Sequence, residues 1–174
     1  MSDKQSMSYL DGKRDGYKAV AEAIGLAWPS NEAAVLARCR HLAAIESVDS
    51  ERQPTLDTII HAVLAVSEIP LDELRSARRG PARTMARQAI VVMAKHCLPP
   101  HLVPSFPGIT RAIRPPGTSH SGVITTHDRA MRALAADPPC ERLANLIYAS
   151  AKVMNMSPGV VVTELIESAR KDNG

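Results

Sequence analysis

Between residues 99 and 116 the chain carries Pro99, Pro100, Pro104, Pro107, Pro115 and Pro116. Proline has no amide N–H and its ring clashes with the preceding turn, so no long helix can cross this span. "LPPHLVPSFPG" therefore reads as an irregular connector. What fits after it is one short helix, "PGITRAI", with Ser105 as a cap and Pro107 in the first turn. That helix must stop before "RPPG". Immediately afterwards Thr118 or Ser119 can cap a second helix carrying Val123, Ile124, His127, Ala130, Met131 and Leu134. Two helices with a tight turn between them form a helix-turn-helix candidate.

The remaining apolar residues also recur at helical spacing. Aromatic residues make up only 3% of the chain, so Ala, Leu, Val and Ile must supply the core, a composition that favours helices. A helical stripe runs from about Ser8 to Ala27, and Ser30 or Asn31 opens another that ends near Ser47. "VDSERQP" is a polar linker, after which Thr55 can cap a helix with Ile59, Ile60, Val63, Leu64 and Val66 facing inward. A short helix precedes the arginine-rich loop at Gly80 and Pro81. The stretch from Ala82 to Cys97 reads as a mostly buried helix, and two more follow from Glu141 and from Ser157 and Pro158. The expected fold is all-α, roughly eight helices, with an N-terminal helical region over 1–50, the helix-turn-helix domain over 51–136 and a helical pair over 137–174.

Charge is unevenly spread. No Asp or Glu occurs from Arg75 to His127, a segment that holds seven arginines and Lys95 and so carries +8. The whole chain carries +3, which leaves −5 on the remainder. A basic segment of this kind attracts polyanions, nucleic acid first among them, through counterion release. Cys39, Cys97 and Cys140 are odd in number and far apart, as reduced, mostly buried thiols would be. The N-terminus lacks an apolar stretch of signal type and no run approaches a membrane span, so a cytoplasmic protein with no membrane partner is expected.

"SFPGITRAI" and "GTSHSGV", with "ARRGPARTMARQAIVVMAKH" upstream, resemble the C-terminal DNA-binding domain, domain IV, of the bacterial replication initiator DnaA. That family reads Ser-Leu-Pro-Glu-Ile-Gly-x-x-Phe and then Gly-Arg-Asp-His-Thr-Thr-Val, after a basic loop and a helix opening Arg-Gln. Ser105, Phe106, Pro107, Ile109, Ala112 and Ile113 match the first part; Gly117, His120 and Val123 match the second. Upstream, Ser76, Arg78, Arg79, Arg87, Gln88, Ala94 and Lys95 fall in step, and insertions stand at "CLPPHLVP" and "RPPG". The resemblance covers about half the chain, roughly Thr55 to Leu134.

The resemblance implies a recognition helix in the major groove and an arginine from the basic loop in the adjacent minor groove. Carried over by position, Arg79 is the minor-groove residue and Arg78 its phosphate-contacting neighbour. Lys95 falls on a DNA-facing position, and Ser119, His120 and Ser121 on positions of base or phosphate contact. Only the histidine of the family's Arg-Asp-His-Thr-Thr is kept. The changes at Ser119 and Gly122 remove an acceptor for a cytosine amine and a methyl for thymine. A changed target or weaker specificity follows, at about 1–3 kcal/mol for each lost base contact.

No phosphate loop of Gly-x-x-x-x-Gly-Lys-Ser/Thr type occurs, so the chain lacks the initiator's ATPase chemistry. His120 and His127 stand seven apart on one helix face, but a metal wants a further ligand, and Asp128 is expected to point elsewhere. No oriented base or oxyanion hole marks a serine nucleophile. Neither catalytic residues nor a cofactor nor a metal is expected. The expected function is sequence-dependent binding of double-stranded DNA, as a transcriptional regulator or a replication accessory factor. The alternative is a degenerate helix-turn-helix that binds protein instead. The flanking helices either complete the core or form a face for a homodimer or another protein.

Overall fold

The computed structural model describes residues 14–19, 21–22, 27–46, 53–78 and 80–173. Among these residues there are helices and no strands, so the all-α expectation holds. Residues 14–19 and 21–22 are helical. The elements that follow are α1 (Glu32–Glu46), α2 (Leu56–Ser67), α3 (Leu71–Arg75), α4 (Pro81–His96), a 3₁₀ turn (Pro100–Leu102), α5 (Phe106–Ile113), α6 (Ser121–Ala135), α7 (Glu141–Val153) and α8 (Pro158–Asn173).

The caps read from the sequence for α1, α2 and α5 are in place, whereas α6 has His120 at its N-cap with no side-chain cap bond. Asn31 Oδ1 accepts the Ala33 N–H at 2.9 Å. Thr55 and Thr58 form a reciprocal capping box at the start of α2. Ser105 Oγ accepts the Gly108 N–H at 3.2 Å, and Pro107 occupies the first turn of α5, where its missing N–H costs nothing. α2 ends on Glu68 in the left-handed region, φ 59°.

α4 is the hub. It is buried nearly all round from Ala86 to Ala94 and packs against α2, α3, α5, α6 and α7, while α8 lies over α6 and α7. Ile59, Leu64, Ile90, Met93, Ile109, Leu134 and Ile147 are all but inaccessible to solvent. Full burial of each such side chain contributes roughly 1.5–3 kcal/mol, so α6 is seated by a rigid core rather than by its connector. That core runs without interruption from α2 to Ala169 in α8. The C-terminal helices thus share it.

A smaller apolar cluster joins Tyr17, Val35, Cys39 and Leu42 to Ala65 of α2, with Trp28 and Val153 against it. Two buried polar groups tie this layer down. Arg38, 1% exposed, donates from Nε to the Ala65 carbonyl at 2.9 Å, from Nη1 to the Ala27 carbonyl, and pairs through Nη2 with Glu68 Oε1 at 2.7 Å. His41 meets His61 across α1 and α2, Nδ1 to Nδ1, at 2.9 Å.

Burial first, and then the neighbouring His61, pushes His41 from its ordinary 6.5 down to about 4. His61 is lowered as well, chiefly by burial. The unfolded chain therefore takes up protons that the folded chain refuses. Stability is complete above pH 6.5 and is lost as pH falls toward 4; the His41 contribution to that loss is about 2 kcal/mol by pH 5. Urea unfolding at pH 7.5 and pH 5 measures it, and equal midpoints would refute the neutral His–His pair.

Candidate nucleic-acid interface

The link between α5 and α6 runs from Arg114 to His120, longer than the three or four residues of a tight helix-turn-helix turn. The two prolines and Gly117 make a turn of their own. Thr118 N–H donates to the Pro115 carbonyl at 3.3 Å, and Gly117 adopts φ 78°, which the third residue of a type II turn requires. Only then can the chain begin a helix. α6 starts at Ser121, later than a Thr118 cap would put it, and Ser119 Oγ accepts the Ser121 N–H at 3.3 Å.

Ser119, His120 and Ser121 are all exposed, whereas Val123, two residues on, is fully buried. One turn of helix is thus anchored from below and open above. The Ser119 and Ser121 hydroxyls lie 3.0 Å apart, so both carry local bonds as well as facing solvent.

The basic loop before α4 is held from inside the protein. Arg87 shares an inward stripe with Ile90 and Ala94, and is only 3% exposed. Its Nε and Nη2 donate to the Leu74 carbonyl, and Nη2 donates to the Ser76 carbonyl at 2.7 Å. Burial lowers its pKa, and the like charges of Arg114 and Arg83 lower it further, although a guanidinium stays protonated at any physiological pH. Arg83 Nη1 pairs with Glu73 at 2.8 Å, and Arg75 Nε donates to the Ala112 carbonyl at 2.8 Å, which ties α3 to α5. Arg78 stands exposed on the loop so fixed. Arg79 lies outside the described residues.

Two hollows flank Arg114. One, about 810 Å³, is lined by Leu71, Asp72, Arg75, Arg111 and the two prolines. The other, about 420 Å³, lies between the first turns of α4 and α6, with Thr84, Arg87, Thr118, Thr125 and Arg129 among its walls. Arg114 Nη2 donates to Thr126 Oγ1 at 3.3 Å, and both residues line this hollow. The hollow places the start of α4, and so the basic loop that feeds it, at the same end as the exposed turn of α6. Ser119, His120 and Ser121 adjoin one wall of the hollow through Thr118 and Gly122, and Arg78 stands on the loop that leads into the opposite wall at Thr84.

Lys95 is elsewhere. It sits eight residues beyond Arg87, about 12 Å along α4, with Nζ donating to the Pro104 carbonyl at 3.2 Å and lying 4.7 Å from the centre of the Phe106 ring. His127, unlike the exposed His120, is half-buried among neighbouring side chains. Its ring packs edge-on to Phe106 and meets His96 Nε2 to Nε2 at 3.1 Å, the two imidazole rings lying nearly parallel. Asp128 does not point elsewhere, as the sequence suggested: its Oδ1 is 3.3 Å from His127 Nδ1. The carboxylate leans back along the helix surface to its neighbour, whose other nitrogen is taken by His96. Among the described residues no three His, Cys, Asp or Glu side chains converge as metal ligands. The Cys97 thiol is pushed up to about 12 by burial and by Glu164, and is not a nucleophile at neutral pH.

Sequence reasoning passed over Arg114, Arg129 and the threonines of the smaller hollow, and did not assign Arg87 its supporting role. A signal for Arg87 existed, since a charge at an inward helical position must find partners. None existed for the hollow, which three separate segments assemble. No helix among the described residues is long and apolar enough to cross a membrane. No family model, curated protein or solved structure matches the chain.

Proposed function

We propose that the protein binds double-stranded DNA in the manner of the C-terminal domain of the bacterial replication initiator DnaA, as a transcriptional regulator or an accessory factor at replication origins. The observation that carries this reading is the exposed entry to α6. Ser119, His120 and Ser121 stand exposed where the chain enters a helix rooted by Val123, next to the hollows at which Arg111, Arg114 and Arg129 supply positive charge, and Arg78 is exposed on the loop before α4. The arginines draw the duplex in without regard to sequence, and the short polar side chains touch base edges.

Fluorescence titration of random and origin-like duplexes at two salt concentrations tests the proposal. Binding that weakens steeply with salt is the expected result, and His120→Ala should relax sequence preference more than it weakens binding to random duplex. Absence of binding at low salt would sink the proposal and leave the protein-binding alternative, which the bare backbone of exposed Gly122 favours: nothing stands within 4 Å of where its Cβ would be.

A further inference from the structure

The 420 Å³ hollow beside the inserted turn has a character that DNA binding by α6 alone does not explain. Among the described residues its walls are arginine and threonine with Gly122, and no carboxylate lines it. The nearest acid on the loop side, Glu73, is engaged by Arg83 and is not among the lining residues. Arg87 brings a buried positive charge to the floor, met by the carbonyl oxygens of Leu74 and Ser76. Carbonyl dipoles solvate such a charge without cancelling it, and a concave low-dielectric wall concentrates the resulting field. Arg114, placed by the Pro115–Pro116–Gly117 turn, and Arg129, exposed on α6, add two further guanidinium groups at the rim. A guanidinium presents parallel N–H donors matched to two oxygens of one anion, and two such groups across a hollow suit a tetrahedral oxyanion better than a planar carboxylate.

We propose that this hollow is a phosphate site, in which Arg114 and Arg129 grip a phosphate group above the buried charge of Arg87. The inference rests on the DNA-binding reading for its main source of ligand, a backbone phosphate of the duplex alongside the α6 contact. A free phosphate monoester carries the same chemistry. Thr118 and Thr125, whose hydroxyls donate to the Pro115 and Ser121 carbonyls at 2.7 and 3.1 Å, line the approach without adding negative charge. In this arrangement the "RPPG" insertion is a binding element and not a mere spacer.

Two arms test it. In the first, the salt dependence of duplex binding is compared for the full-length protein and its Arg114→Gln, Arg129→Gln and double variants. Because the two arginines share one phosphate, the double variant should reduce the slope of log K against log salt by about one, each single variant by less, and all duplexes should weaken alike. Arg129 is exposed, so its variant keeps the reading independent of any folding defect at Arg114. In the second arm, inorganic phosphate is titrated while the amide resonances of Thr118, Gly122 and Thr125 are followed by NMR, with the double variant as control. Reduced slopes, or shifts that the double variant abolishes, support the site. If the wild type binds duplex but the slopes are unchanged and phosphate moves none of these amides, the phosphate site is overturned and DNA binding stands. If no duplex binds, the DNA-binding reading falls, and the phosphate titration alone decides: shifts lost in the double variant uphold a free-phosphate site, and unmoved amides overturn it.

Discussion

Arg38→Ala is expected to destabilise the protein by about 3–5 kcal/mol, the range for breaking a buried charged cluster by removing one partner. Arg38 is 1% exposed and joins three separate places: the Ala27 carbonyl ahead of α1, the Ala65 carbonyl in α2 and the Glu68 carboxylate that ends α2. Truncation leaves two carbonyl oxygens and a carboxylate without their donor and opens a void beneath α1. The loss is a large part of the 5–15 kcal/mol that a typical domain has in total. Glu68→Gln should cost far less, about 1 kcal/mol, because Glu68 is partly exposed and an amide oxygen still accepts from Nη2. Urea unfolding of both variants checks the pair. An Arg38→Ala loss below about 1 kcal/mol would mean that the cluster does not hold the N-terminal layer.

Arg87→Ala should act twice, on stability and on binding. Removing the guanidinium strands the Leu74 and Ser76 carbonyls and empties volume within the α4 hub, at about 2–4 kcal/mol. For a chain of this length that corresponds to a fall in melting temperature of roughly 5–15 °C. The loop that presents Arg78 loses its internal tie at the same time, so duplex affinity should drop for all sequences, even under conditions where the variant is folded. Arg87→Lys should recover little of either, since an ammonium group lacks the planar fork that reaches two carbonyls from one side. Calorimetric melting and duplex titration on the same samples separate the effects. A variant that melts like the wild type would show that the loop is held by something other than Arg87.

Much of the helical layout was legible because its signals are local. Thr55 and Ser105 cap where a short polar side chain precedes an apolar stripe, and the prolines confine α5 to two turns. Val123 faces inward and Ser119 to Ser121 outward, as the apolar period of α6 requires. The candidate site was legible only in part. The sequence did not show that Lys95, which the resemblance puts on a DNA-facing position, also contacts Pro104 and Phe106, or that His127 meets His96 and Asp128. Apart from the adjacent Asp128, their partners lie on the connector, α4 and α5, which meet them only through the fold.

The sequence by itself determined where helices start and stop and which face of each is apolar. It also determined that the Arg75–His127 segment carries a net positive field, because caps, prolines, periodicity and acid-free composition act over a few residues or simply add. Only the tertiary structure decided which arginines that field comes from at the surface. Packing α4 at the centre drives Arg87 under the loop as a strut, and the Pro115–Gly117 turn lifts Arg114 into a hollow shared with Arg129. Burial of a charge is settled by long-range contacts that satisfy its donors, and those contacts exist only once α3, α4 and α6 have met.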